Sequence, residues 1–168
     1  VYAEAGLEIT GWTGTDARPI PVVRRVPRTA ADGGPSLRWA IKIAAPAGPR
    51  GETWGDTYFG HSLARALREL GHDAVVDVRE SVERSTRYID DVDLVIRGLD
   101  TYERRAAAIT MLWVISHPDD ITRGEVRDYD VVFAASRSWA QRMSEGWRVP
   151  IRLLLQCTDP ERFRPSGE

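Results

Sequence analysis

The chain predicts a doubly wound α/β fold, with a mostly parallel sheet of about six strands and helices set between them. Three observations predict it. From Leu37 onward, apolar runs of strand length recur, segments of helical period stand between them, and the links are short. One run, Ala108 to Ile115, is almost continuously apolar, as a central parallel strand buried on both faces should be.

The first unit of the pattern runs from Leu37 to Gly71. Leu37 to Ala45 has the length of a strand, with Trp39, Ile41 and Ile43 on one face, and it stops at Pro46. A loop with Gly48, Gly51 and Gly55 follows. Asp56 then stands as the expected N-cap of a helix in which Phe59, Leu63, Ala66, Leu67 and Leu70 recur at helical spacing, and Gly71 is its stop. Ala74 to Val78 is the second strand, and Ser81 to Asp91 is either a short helix or a loop. Val92 to Gly98 and Ala108 to Ile115 make strands three and four, Thr122 to Tyr129 a short helix, and Val131 to Ala135 strand five. Arg137 to Trp147 is a helix with Trp139, Met143 and Trp147 at four-residue spacing, and Ile151 to Leu155 is strand six.

Residues 1–36 differ in character. Val1 to Ala3 and Leu7 to Thr10 suit a short strand, but Pro19, Pro21, Pro27, Pro35 and the pair Gly33-Gly34 interrupt anything longer. The expectation is a leader or linker, with Val22 to Val26 either an edge strand or extended chain.

Composition bounds the function. A chain of 168 residues, 42% hydrophobic and 29% charged, is an ordinary soluble globular domain. Its net charge of −2 provides no basic face for nucleic acid or an anionic membrane. Cys157 stands alone, which excludes a disulfide framework and a cysteine zinc site and suits a reducing cytoplasm. No run reaches membrane-spanning length, and the first residues show no basic stretch followed by an apolar one as a signal peptide would. The excess of Arg over Lys suits a GC-rich bacterial genome. Starting at Val1, the sequence is expected to be a piece of a longer or trimmed chain.

In a doubly wound sheet, ligands meet the loops leaving the carboxyl ends of the strands. The first loop fits neither G-x-G-x-x-G nor G-x-x-x-x-G-K-[ST], so a standard dinucleotide or ATP site is not expected there. An Asp56 cap would occupy the helix N–H groups that a phosphate needs, which leaves a neutral, hydroxyl-rich ligand or a plain tight turn. Strand four ends in Ser116-His117-Pro118-Asp119-Asp120. His117 titrates in the range that suits a general base, unless it is a polar loop tip and Ser116 or Asp119 caps the next helix. After strand five, Ser136 is the expected helix cap, with Arg137 facing the cleft or solvent. After strand six come Gln156, Cys157 and Thr158, with Cys157 expected to be packed and inert at a buried strand end. His61 lies where it would face the cleft, His72 is expected to face water, and no metal spacing is present. Asp90-Asp91 and Asp119-Asp120 read as turn or capping residues rather than a catalytic dyad.

Three stretches resemble a known family. Ala66-Leu67-Arg68-Glu69-Leu70-Gly71-His72, after the glycine loop, resembles the opening of a GT-B glycosyltransferase. Thr158 to Pro165 is similar to the D-x-x-x-F-x-P segment where family 4 enzymes leave their N-terminal domain. Trp113 to Pro118, followed by Tyr129 to Ser136, resembles the spore-maturation CgeB-like branch. The resemblance covers Leu37 to Pro165 and implies the Rossmann-like N-terminal, acceptor-side half of a two-domain enzyme. By it, residues 166–168 begin the crossover to a C-terminal half that holds the nucleotide-sugar donor, and no cofactor belongs to this half. It further implies a sugar, glycan, envelope or natural-product acceptor; the strand-end loops, and not the family, supply His117 as base or orienting group and a cleft shaped by Gly48, Gly51, Trp54, Gly55, Asp56, Ser116, Ser136, Arg137 and Thr158. Trp54 would stack on a sugar face. The alternative is a non-catalytic Rossmann-like binding or regulatory domain. Against a receiver module, strand one ends in Ala44-Ala45-Pro46 where an acidic pair is needed.

Overall fold

In the computed structural model, which describes residues 7–26, 28–102 and 109–164, the chain divides into two compact units, Val1–Ser36 and Leu37–Glu168. The larger unit contains a six-stranded parallel sheet. Its strands are β3 (Arg38–Lys42), β4 (Asp73–Asp77), β5 (Val92–Arg97), β6 (Ile109–Val114), β7 (Val131–Ala134) and β8 (Arg152–Leu153), in the spatial order β4-β3-β5-β6-β7-β8. The expected Rossmann-like doubly wound architecture is therefore the one observed.

Alternation along the strands explains the two cores. Ile41, Leu94, Ile96 and Trp113 turn to one face, where they pack with Ala64, Phe59 and Leu63 of helix α2 (Gly55–Glu69). Val95, Leu112, Val114, Val132 and Ala134 turn to the other, against α3 (Arg123–Arg127) and α4 (Arg137–Trp147). All six residues of β5 are buried, as a strand covered on both faces must be. Thr122 caps α3 and Ser136 caps α4 through their side chains. α2 ends at Gly71, whose φ of 86° only glycine adopts freely. A one-turn helix, α1 (Pro49–Glu52), precedes α2, and the open stretch between β4 and β5 forms two 3-10 turns at Arg79–Ser81 and Arg87–Ile89.

Charges also lie inside this unit. Lys42 ends β3 at 3% exposure, 3.5 Å from Asp77 at the end of β4 and 3.3 Å from Asp93 in β5. Arg84 reaches the other Asp77 oxygen at 2.8 Å and also holds Asp90, which accepts from Arg38. Asp90 and Asp91 are thus strand-locking residues, Asp91 accepting the Arg38 backbone N–H at 2.7 Å. At the other end of β5, on the same face, Arg97 pairs with Glu125 at 2.5 Å and fastens α3 to the sheet.

The smaller unit contains a hairpin. β1 (Leu7–Thr15) and β2 (Arg18–Arg25) pair antiparallel, with Trp12 opposite Pro21 and Gly14 opposite Pro19. The expected edge strand at Val22 belongs to β2, whose partner is β1 and not the parallel sheet. Both prolines stand at alternate positions of a strand that has a neighbour on one side, where a missing N–H costs no ladder bond. Val1 to Ala3, Pro27, Ala108, Pro165 and residues 166–168 lie outside the described residues.

Replacing Lys42 by Met should lower unfolding stability by about 3–5 kcal/mol at neutral pH, because Asp93 is then a buried charge without its cation. Burial already pushes the Asp93 carboxyl above the ordinary carboxylate range, with Lys42 opposing. The deficit should accordingly shrink in acid as Asp93 takes up a proton, which urea denaturation of both proteins across pH will measure.

Candidate functional site

After β3 the chain turns to β4 on one side, and it later returns to place β5 on the other. The strand order thus reverses between β3 and β5, and the crevice outside their carboxyl ends is the place where doubly wound sheets bind ligands. Asp56 fills its mouth. A Cβ on Gly98, just after β5, would lie 3.1 Å from the Asp56 carboxylate oxygen Oδ2, and 3.7 Å from both Ala44 Cβ and Ser116 Oγ. A side chain at 98 would crowd that carboxylate, which would have to give by a few tenths of an ångström. Tyr102 closes the same edge, donating to the Ile43 carbonyl at 2.8 Å. Burial, aided by Asp100, pushes its phenol up to about 12.

The expected Asp56 cap is corrected by one residue. α2 starts at Gly55 with Trp54 as N-cap, and Trp54 makes no side-chain capping bond. Asp56 is thus the second residue of the helix, and its side chain is free to turn into the crevice. Burial raises its pKa above the usual value, while the nearby His117 works the other way. His117 holds a left-handed backbone, φ 49° and ψ 48°, immediately before Pro118. A β-carbon makes that region costly, so the surrounding chain must impose it. Its ring Nδ1 lies 3.0 Å from Ser116 Oγ. Neither Ser116 nor Asp119 caps the 3-10 turn that follows. A carboxylate of raised proton affinity, a hydroxyl and an imidazole thus share one strand-end patch, the equipment for taking a proton from a bound hydroxyl.

The patch opens into a cavity of about 700 Å³ on the α2 face of the sheet, in the range of small-molecule sites. Its walls are α2, from Gly55 to Glu69, and the tail from Gln156 to Phe163; Trp113 and Ile115 make its floor. Phe59 and Trp113 meet with ring centroids 5.3 Å apart. The tail is held by Asp159, which accepts from Ser62 Oγ at 2.6 Å and from Arg65 at 2.8 Å. The Ser62 hydrogen bond keeps the Asp159 carboxyl below its usual pKa, burial opposes it and Arg65 assists. Glu161 pairs with Arg65 as well, and the Arg162 guanidinium stacks 3.6 Å over Tyr58.

Of the residues singled out from sequence, Gly55, Asp56, Ser116 and Thr158 line this cavity. His117 stands beside it through Ser116, exposed to solvent. Ser136 lines a smaller cleft of about 190 Å³ that shares Ser116 and Gln156 with the larger one, and Arg137 lines neither. Gly48 is the N-cap of α1, with φ 74°. Gly51 serves packing: a Cβ there would collide with the Pro46 carbonyl oxygen at 1.8 Å. Trp54 rests against the apolar core of the α2 face and is absent from the cavity wall. Cys157 is exposed and faces the cavity, a correction to the packed thiol expected at a buried strand end, because β8 stops at Leu153 and the tail runs over the surface. His61 is exposed and outside the wall, and His72 is half-buried, accepting the Leu37 N–H at 3.1 Å instead of facing water. Tyr58, Phe59, Ser62, Arg65 and Phe163 join the site unannounced, since only the tertiary fold brings residue 62 to residue 159.

Among the described residues there is no cluster of side chains able to hold a metal ion, and no helix long and apolar enough to cross a membrane. Compared with models of known protein families and with curated proteins, the chain matches none.

Two variants test the patch. Because Asp56 binds its proton more tightly folded than unfolded, the folded state holds more protons between the two pKa values, and stability falls as pH rises through that window. Asp56→Asn should remove this slope and leave the protein more stable than wild type at neutral pH, as read by urea midpoints from acid to neutral. His117→Gly should stabilise by about 1 kcal/mol by relieving the left-handed backbone, measured by the same denaturation.

Proposed function

We propose that this chain is the acceptor-side half of a GT-B-type glycosyltransferase, transferring a sugar from a nucleotide-sugar donor to a hydroxyl bound in the cavity. The observation that carries the proposal is the Asp56 carboxylate, set at the ends of β3 and β5 beside Ser116 and lining a ligand-sized cavity. Asp56 removes the acceptor proton as the hydroxyl attacks the anomeric carbon. Ser116 and His117 orient the hydroxyl, and His117 opposes the rise in the Asp56 pKa. The first loop lacks a phosphate cradle, so on this reading the donor is held mainly by a C-terminal half outside these residues.

A second reading, a non-catalytic regulatory module, gains support from the strand order, which such modules share. Its chemistry fits less well. The residue after β5, where a receiver needs its phosphorylated carboxylate, is Gly98, and Asp100 is already paired with Arg79 at 2.6 Å.

The full-length protein, incubated with UDP-, GDP- and dTDP-sugars and an acceptor panel, should release nucleoside diphosphate. Asp56→Asn should lower turnover by about a hundredfold or more, the usual contribution of a general base, with the circular dichroism spectrum unchanged. An Asp56→Asn enzyme of wild-type rate would remove Asp56 from the chemistry, and absence of turnover with every donor would favour the regulatory module.

A further inference from the structure

The two faces of the sheet meet at Gly98. Arg97, the last residue of β5, turns to the α3 face, two residues on from Val95 in the core of that side. Asp56 reaches the same strand end from α2, which covers the other face. Gly98 lies between them: the position of a Cβ there is 3.1 Å from Asp56 Oδ2 and 3.7 Å from Ser116 Oγ.

A buried guanidinium fixes Gly98 in place. Arg97 is 2% exposed, and a cation so placed needs partners for its N–H groups. Nε and Nη2 donate to the two carboxylate oxygens of Glu125 on α3, at 2.5 and 3.4 Å, and Nη1 donates to the Gly98 carbonyl. Glu125 is itself held, its backbone N–H donating to Thr122 Oγ1 at 3.1 Å next to the fully buried Val126. A buried ion pair is often no more stabilising than apolar residues of the same volume. What an apolar pair could not supply is the bond to the Gly98 carbonyl, and a lysine ammonium lacks the planar fork that serves carboxylate and carbonyl at once.

We infer that Arg97 is a positioning residue for the Asp56 site: bridging Glu125 and the Gly98 carbonyl, it holds the Gly98 backbone against the Asp56 carboxylate and keeps water from that side. α3, on the far face of the sheet, is thereby tied to a cavity that it does not line. The inference rests on the acceptor-side reading only for the use made of Asp56.

Asp56 is its own reporter. Burial raises its pKa, His117 opposes, and Tyr102 in turn feels the Asp56 charge; neither Arg97 nor Glu125 acts on Asp56 directly. A change at Arg97 therefore reaches Asp56 through Gly98. The Asp56 carboxyl carbon can be followed by NMR titration of this chain, assigned by its loss in Asp56→Asn. Two variants release Gly98: Arg97→Met combined with Glu125→Met puts apolar side chains in place of the pair, and Arg97→Lys keeps a cation against Glu125 and so keeps the fold. Either should move the midpoint of the Asp56 titration down by about half a pH unit or more as water enters. Val126→Ala, which loosens α3 and leaves Arg97 in place, should lower the melting temperature with the Asp56 titration unmoved. An unmoved titration in a folded Arg97 variant would overturn the inference. An equal fall in Val126→Ala would overturn it too, since Arg97 would then only brace α3. A titration that moves, in a full-length protein that consumes no nucleotide-sugar, keeps the inference and removes the transferase; turnover with an unmoved titration does the reverse.

Discussion

Lys42 joins three strands at the point on which the fold turns. Its ammonium sits between Asp77 on β4 and Asp93 on β5, so one side chain on the middle strand fastens both neighbours where the chain reverses its direction of winding. Parallel neighbours in such a sheet are distant in sequence and must be brought together against chain entropy. A buried ion pair is seldom a net source of stability, but removing one partner is severe. Arg84, reaching Asp77 and Asp90 from the link between β4 and β5, makes the arrangement a network with a fixed register. The crevice beside Asp56 lies at that reversal.

On the α2 face the sheet is covered unevenly. α2 lies over the β4, β3 and β5 side, and toward β6 the cover is the tail after β8. The cavity is the space between these covers. Its closure depends on Asp159 engaging Ser62 and Arg65 across nearly the whole unit. The same arrangement that leaves room for a ligand therefore puts a charged clasp at its rim and aromatic rings within.

The strands were legible because burial on both faces turns them into apolar runs, and β5 and β6 are the clearest cases. α4 was legible to its ends because Ser136 caps it and its tryptophans recur at one helical face, where Trp139 and Trp147 meet edge to face. The hairpin was not, since Pro19 and Pro21 break a strand in any sheet interior and are harmless only with one neighbour. Asp56 was legible as important but not in its role: a one-residue shift in the helix start separates a cap from a cleft-facing carboxylate. The cavity wall was illegible for a deeper reason. Tyr58 and Arg162, or Ser62 and Asp159, are paired by topology alone, and no local pattern encodes that.

Lys42 is also the only lysine in the chain, among otherwise arginine-borne positive charge. Guanidinium groups ignore acylating reagents at neutral pH, and the one ε-amine is 3% exposed. The folded protein consequently offers amine-directed reagents little beyond its amino terminus. Acylation of Lys42 requires the sheet to open between β4, β3 and β5, so a single peptide mass, followed in time, becomes a clock for the opening of the fold at its centre.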